Sequence, residues 1–243
     1  MKPPDRAEIY QAFEATWPAA RLTTIGPFKY RDGAGGGSRV SSATLDGELA
    51  QDALESIEAR FVQDDRPALF QVRSGEESFD ALLATKGYRR FDPVACLCAP
   101  ADVFATSNRE DGYPSWPPLA IQKEIWAAGG VGDERLAVMD RVSVPKTTLL
   151  GRLHEAPAGT AFLAQHGEIA ALHALEIAEP FRRAGLARAM MAMAADWARA
   201  HGAKYLALQV TRSNSPALSL YSALGMNEVA QYHYRTKALS EIA

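Results

Sequence analysis

The stretch that most constrains this chain runs from Glu168 to Ala187, Glu-Ile-Ala-Ala-Leu-His-Ala-Leu-Glu-Ile-Ala-Glu-Pro-Phe-Arg-Arg-Ala-Gly-Leu-Ala. Its first half, Ile169 to Ile177, is a largely apolar run without a breaker, as expected of a strand buried on both faces. Glu179-Pro180 ends the run, because proline cannot donate to a ladder and biases its predecessor away from helix. Arg182-Arg183-Ala184-Gly185-Leu186-Ala187 follows, and helix-forming residues continue from Arg188 to Ala200. The order is strand, basic glycine-containing turn, helix. The first amides of a helix lack intrahelical partners, and the helix dipole adds partial positive charge there. Gly185 lets the backbone approach an anion, Ala187 keeps the next turn uncrowded, and two guanidinium groups add full charges. The stretch reads as a phosphate or pyrophosphate holder. It lacks the Gly-Lys-Ser/Thr of a P-loop and two of the three glycines of a dinucleotide fingerprint.

The rest of the composition narrows the classes. At 243 residues, with 47% hydrophobic and 23% charged residues, the chain has room for two ordinary domains or one large one. A net charge of −3 and a pI near 6.0 give no electrostatic drive toward nucleic acid or membrane. The beginning, Met-Lys-Pro-Pro-Asp-Arg-Ala-Glu, has no apolar core of a secretory signal, and no 18-residue apolar run suggests a membrane span, so a cytoplasmic location is expected. Cys96 and Cys98 read as small apolar strand residues, and no His/Cys/Asp cluster has zinc spacing, so no metal is expected.

Taken in order, Ile9, Phe13 and Trp17 form one helical stripe, ended by Pro18. Pro27–Tyr30 reads as a strand, Asp32–Ser38 as a glycine-rich hairpin loop, and Arg39–Leu45 as a further strand. A helix is expected at 50–62, a strand at 67–73, a helix at 76–85 capped by Gly87, and a strand at 88–99. Residues 100–118 carry four prolines among small polar residues and read as a linker, placed at 106–118. Beyond it the pattern predicts helices at 119–128 and 133–142, strands at 147–154, 160–165 and 168–177 with turns at Pro157–Gly159 and His166-Gly167, the central loop and helix, a strand at 205–210, a helix at 215–224 capped by Gly225, and a strand at 229–237. The halves repeat. An offset of 209 − 71 = 138 brings Gln71-Val72 onto Gln209-Val210, Leu82 onto Leu220 and Gly87 onto Gly225.

Arg182-x-x-Gly185-x-Ala187 after an apolar strand resembles the acetyl-CoA pyrophosphate loop of the GNAT superfamily of N-acetyltransferases. Asn214-x-x-Ala217-x-x-Leu220-Tyr221-x-x-x-Gly225, about 30 residues later, resembles the second characteristic segment of the same superfamily. The resemblance covers roughly 119–237, and one departure from it is Ala187 where a glycine is common. It implies a mixed α/β fold: a mostly antiparallel sheet flanked by helices and splayed between its fourth and fifth strands. The whole chain resembles bacterial tandem GNAT proteins, with a degenerate GNAT-like domain at 1–105 and a competent one at 119–243.

The resemblance implies acetyl-CoA as co-substrate. Arg182, Arg183, Ala184, Gly185, Leu186 and Ala187 would hold its pyrophosphate, and backbone groups of Leu175 and Ile177 its pantetheine. Asn214 has two roles open, cofactor contact or helix N-cap. Tyr221 takes the family's position for the acid that protonates the leaving thiolate. Acyl transfer to an amine needs a neutral amine. An amine with a pKa near 10.4 is neutral in only roughly one in a few thousand molecules at pH 7, so a base matters. Glu176 and His173 are the candidates, beside a water-relayed or substrate-supplied route. Three positions apart, these two face opposite sides of a regular strand unless it bulges. Trp126 is a candidate pocket wall or a core residue, and His233 a pocket or core residue. The acceptor, a small metabolite, an antibiotic-like amine or a peptide N-terminus, stays open, as does monomer or homodimer. An acyl-CoA sensor or scaffold without turnover is the alternative, which Tyr221 argues against. In the N-terminal half, Leu83 stands at the position of Tyr221, Glu76 at that of Asn214, and Asp46-Gly47-Glu48 at that of the basic loop, so only one acetyl-CoA per chain is expected.

Overall fold

The computed structural model describes residues 2–49 and 52–242, and the chain divides into two compact units. One, here the motif-bearing unit, comprises Met1–Pro18, Cys96–Val210 and Asn214–Val229; the other, the flanking unit, comprises Ala19–Ala95, Thr211–Ser213 and Ala230–Ala243. The elements are α1 (Arg6–Thr16), β1 (Arg21–Ile25), β2 (Phe28–Asp32), α2 (Ser38–Ser41), β3 (Ala43–Leu45), α3 (Ala53–Gln63), β4 (Ala68–Arg73), α4 (Glu77–Thr85), β5 (Arg89–Pro100), β6 (Gly112–Ser115), α5 (Ala120–Ala128), α6 (Asp133–Arg141), β7 (Lys146–Leu153), β8 (Ala156–His166), β9 (Ile169–Ile177), α7 (Leu186–Ala200), β10 (Tyr205–Thr211), α8 (Ser215–Ala223) and β11 (Asn227–Lys237).

In the motif-bearing unit the strand order is β5-β10-β9-β8-β7-β6. β6–β7, β7–β8 and β8–β9 are antiparallel, and β9–β10 is parallel. This is the mixed sheet that the resemblance implies. The parallel ladder pairs Ile169–Leu172 with Tyr205–Leu208 and stops there, while β9 continues to Ile177. The two strands therefore part beyond Leu172 and Leu208. α7 lies on one face, its Met190 seated where a Cβ on Gly159 would be, and α5 and α1 lie on the other, where Thr160 and Phe162 point.

α1 begins with a capping box, Asp5 accepting from the Glu8 amide and the Glu8 carboxylate from the Asp5 amide. It buries Ile9, Ala12, Phe13 and Thr16 in the motif-bearing unit. The compact units thus differ from a linear split at 105, because α1 joins β8 and β9 rather than the strands that follow it. β5 also passes from one unit to the other after Ala95, and β11 after Val229. The presumed linker is structured too: Gly112–Ser115 forms the edge strand β6, where Pro114 is tolerated because an edge strand need not donate on both sides. Pro157–Gly159 lies inside β8, and the turn falls at His154-Glu155, both with positive φ.

The flanking unit has the order β1-β2-β3-β4-β11-β5, with β3–β4 parallel at Ala43↔Phe70 and β4–β11 antiparallel. Its core gathers Phe28, Tyr30, Ile57, Phe61, Phe70, Phe79 and Leu83. The glycine-rich stretch leads into the short helix α2, so the expected hairpin and the strand from Arg39 give way to a helical turn and a strand of three residues. β1 had no sequence signal. The repeat is visible in the element bounds: α4 and α8 differ by 215 − 77 = 138 at their starts and 223 − 85 = 138 at their ends. Cys96 and Cys98 are buried in β5, and neither is in a disulfide.

Candidate active site

The site is built on the free-running end of β9. Along β8 and β9, Thr160 pairs with Glu176 and Phe162 with His173, so two steps on β8 match three on β9. β9 carries the extra residue, and Ala174 takes φ +48°. This is a β-bulge, and it cancels the odd spacing. Directly paired residues point to one face, so His173 and Glu176 share the face of Thr160 and Phe162. The bulge carbonyl, Ala174 O, accepts from Trp126 Nε1 at 2.7 Å. Trp126 is a fully buried core residue that fastens α5 to the bulge.

His173 is 5% exposed. Its Nε2 lies 2.9 Å from Thr16 Oγ1, and its ring packs against Trp17 (5.0 Å between centroids), Phe13 (6.1 Å) and Phe162 (6.2 Å). Glu176 is half-buried, its Oε1 accepting from Arg182 at 3.0 Å. Its carboxylate also lies against the end of α5, where a Cβ on Gly129 would come within 2.6 Å of it.

The basic loop joins β9 to α7. Gly185 sits at the N-cap of the 15-residue helix α7 with φ +86°, a left-handed conformation that costs other residues roughly 1–2 kcal/mol. A Cβ there meets nothing within 4 Å, and Arg182, Arg183, Ala184 and Gly185 are exposed. Leu186 is buried and Ala187 half-buried, anchoring the helix start. Arg182 folds back onto the strand: beside its bond to Glu176, its Nε donates to Ile177 O at 3.0 Å. Leu175 and Ile177 are half-buried on the length of β9 beyond the parallel ladder.

Asn214 Oδ1 accepts from the Ala217 amide at 3.2 Å, so the N-cap geometry is made at the head of α8. Tyr221, two turns on, is 7% exposed, and burial pushes its phenol up to about 12. His233 belongs to the flanking unit, where its Nε2 is 2.6 Å from Asp80 Oδ1, and it lines a cavity of about 220 Å³. The bulge and the contribution of α1 escaped the sequence reading, since neither Ala174 nor Thr16 carries a local signal. Among the described residues no cluster of His, Cys, Asp and Glu could hold a metal ion, and no helix is long and apolar enough to cross a membrane.

A mixed sheet whose parallel strands part beside a bulge, with a basic, glycine-capped helix start next to it, is the setting in which the comparisons with known proteins fall. Residues 109–226, just under half of the chain, match the family described as "Acetyltransferase (GNAT) family", so this region is similar to the GNAT acetyltransferases, and the chain is an acyltransferase. A relative described as the uncharacterized N-acetyltransferase YobR of Bacillus subtilis (strain 168) is 24% identical over 245 residues, spanning 96% of this chain and 99% of its own. Among solved structures, a GCN5-related N-acetyltransferase from Kribbella flavida is similar with a TM-score of 0.70 and 17% identity, over 90% of each chain. A tandem GNAT protein from the clavulanic acid biosynthesis pathway is similar with a TM-score of 0.62 and 14% identity, over 82% of this chain and 75% of that one.

Proposed function

We propose that this N-acetyltransferase moves an acetyl group from acetyl-CoA to a primary amine by direct attack. The observation that carries the reading is the bulge in β9, which turns His173 and Glu176 to one face beside the basic loop. Acetyl-CoA supplies the activated acetyl thioester. The fit rests on the left-handed Gly185, the open space around it, and the exposed guanidinium groups of Arg182 and Arg183 at a helix start. The amides of Gly185–Ala187 and these guanidinium groups hold the diphosphate, and backbone groups of Leu175 and Ile177 hold the pantetheine in strand fashion. To reach the diphosphate, Arg182 would give up its bonds to Ile177 O and Glu176.

The cationic amine first gives its extra proton to solvent; its nitrogen then bonds to the thioester carbon, the carbon–sulfur bond breaks, and one further amine proton is lost. His173 takes that proton. Histidine is the commonest general base in proton transfer of this kind. Glu176, freed when Arg182 turns away, would mark the acceptor side and attract the cationic amine. Tyr221 gives a hydrogen bond, and finally its proton, to the departing sulfur. With its pKa near 12 the phenol stays protonated throughout the physiological range. The products are an amide and free CoA thiol. The flanking unit is a degenerate copy that binds no acetyl-CoA.

Turnover of acetyl-CoA against a panel of small-metabolite amines, amino sugars and peptide N-termini, read through released thiol, tests the reading. Amine-dependent thiol release is expected, at least about tenfold lower in His173→Gln. Tight binding of acetyl-CoA without release for any amine would favour a sensor instead.

A further inference from the structure

We infer that Arg182 is a strap over the pantetheine seat on β9, held there by Glu176 and drawn off by the diphosphate of acetyl-CoA. The inference rests on the reading that the basic loop takes the diphosphate and the end of β9 the pantetheine. Arg182 is exposed, yet its side chain folds back onto its own strand. Its Nε donates to Ile177 O at 3.0 Å, and its guanidinium donates to Glu176 Oε1 at 3.0 Å. Ile177 O is a telling place for that bond. The next amide, Ala178 N–H, donates to Ala158 O on β8, and successive residues of a strand turn their backbone groups to opposite sides. Ile177 O therefore faces away from β8, into the gap where β9 outruns its ladder with β10. A pantetheine amide lying along that edge needs this carbonyl, and Arg182 fills it.

Glu176 gives the strap its hold. Its carboxylate lies against Gly129, the C-cap of α5, where the last helix carbonyls leave partial negative charge. A half-buried carboxylate is disfavoured there and gains from a cation beside it; Arg182 is that cation. The diphosphate, an anion at the head of α7, competes with Glu176 for the same guanidinium. Glu176 thus lowers the affinity for acetyl-CoA through Arg182. When the strap is drawn off, Ile177 O and the Glu176 carboxylate are uncovered together, so one event opens the pantetheine seat and the carboxylate beside it.

Calorimetry with acetyl-CoA on the full chain, in a double-mutant cycle of Glu176→Gln and Arg182→Met, tests the strap. Glu176→Gln should tighten acetyl-CoA about two- to fivefold, the range expected when an exposed ion pair no longer competes. In the Arg182→Met background the same change should have no effect, since no strap is left to hold. An equal gain in both backgrounds would mean plain repulsion between Glu176 and the diphosphate and overturns the inference, as does no gain in either. S-acetylpantetheine, which has no diphosphate to draw the strap off, gives the second readout. Arg182→Met should bind it more tightly than the wild type by a similar factor, because Ile177 O is then open; binding no tighter than wild type overturns the inference. Gly185→Glu separates the two levels of the argument. If it leaves acetyl-CoA affinity unchanged, the reading of the basic loop fails and the strap with it. If it weakens acetyl-CoA while the cycle shows no coupling, the strap alone fails.

Discussion

Two strand–helix segments of this chain have the same spacing and different contents. β10 leads to α8 in one half, and β4 leads to α4 in the other, with both helix ends 138 residues apart. Gly225 and Gly87 close the two helices with φ of +79° and +84°. At the heads the segments diverge. Asn214 caps α8 through the Ala217 amide, whereas Glu76 makes no side-chain cap and turns back to Arg73 at 2.7 Å. Burial pushes the Glu76 carboxyl up, against the pull of Arg73. On α8 the buried Tyr221 carries a hydroxyl; on α4 the matching Leu83 is fully buried hydrocarbon.

The gap beside the parallel strands differs as well. In the motif-bearing unit β9 runs on for five residues past its ladder with β10. In the flanking unit β3 pairs with β4 at one position, and Arg73 donates to Leu45 O across the gap. The cavity there, about 420 Å³, is lined by Asp46, Gly47, Arg73 and Glu76 among others. Its Asp46 carboxyl is held below the usual range, chiefly by the hydrogen bond from Lys29. Caps and spacing fix where a helix starts and stops, and the side chains at its head differ between the two segments.

The largest expected effect comes from spoiling the basic loop of the motif-bearing unit. Gly185→Glu should weaken acetyl-CoA binding by about 10² or more, since charge-assisted amide bonds contribute roughly 1.5–3 kcal/mol each. Circular dichroism should be unchanged, because the new side chain meets open space. Unaltered affinity by calorimetry would locate the phosphates elsewhere. Next, Tyr221→Phe makes that helix resemble α4 and should lower kcat at least about tenfold with acetyl-CoA affinity preserved. With the phenol near 12, the wild-type kcat should show no alkaline fall centred near pH 10; such a fall, absent in Tyr221→Phe, would contradict the burial of this hydroxyl. The smallest effect on binding belongs to the flanking unit. Arg73→Met strands Glu76 and Leu45 O and should cost about 1–3 kcal/mol of stability, read by denaturant melts. It should change acetyl-CoA affinity by less than about twofold. A larger change would mean that the flanking unit shares in binding.

Much of this was readable in the sequence, and the gaps have a common cause. Helix bounds at 77–85 and 215–223, the basic loop and the Asn214–Gly225 segment announce themselves through local chemistry: caps, glycine C-termini and spacing. The bulge at Ala174 does not, because alanine carries no marker for a positive φ, and the bulge exists only through its register against β8. Likewise the stripe Ile9, Phe13 predicts a helix but not the sheet that it covers. Pro114 argued for a linker, and only its place at a sheet edge lets it be a strand. The passage of β5 and β11 from one unit into the other is a long-range pairing choice, for which neighbouring residues give no sign. The shared face of His173 and Glu176 is likewise a matter of the register of β9 against β8, which no neighbouring residue announces.

The central claim is that one half of this chain binds acetyl-CoA and the other only keeps the frame. Isothermal titration of the whole chain with acetyl-CoA tests it most directly. The account predicts one equivalent per chain, abolished by Gly185→Glu. Two equivalents, or one that survives Gly185→Glu, would contradict it.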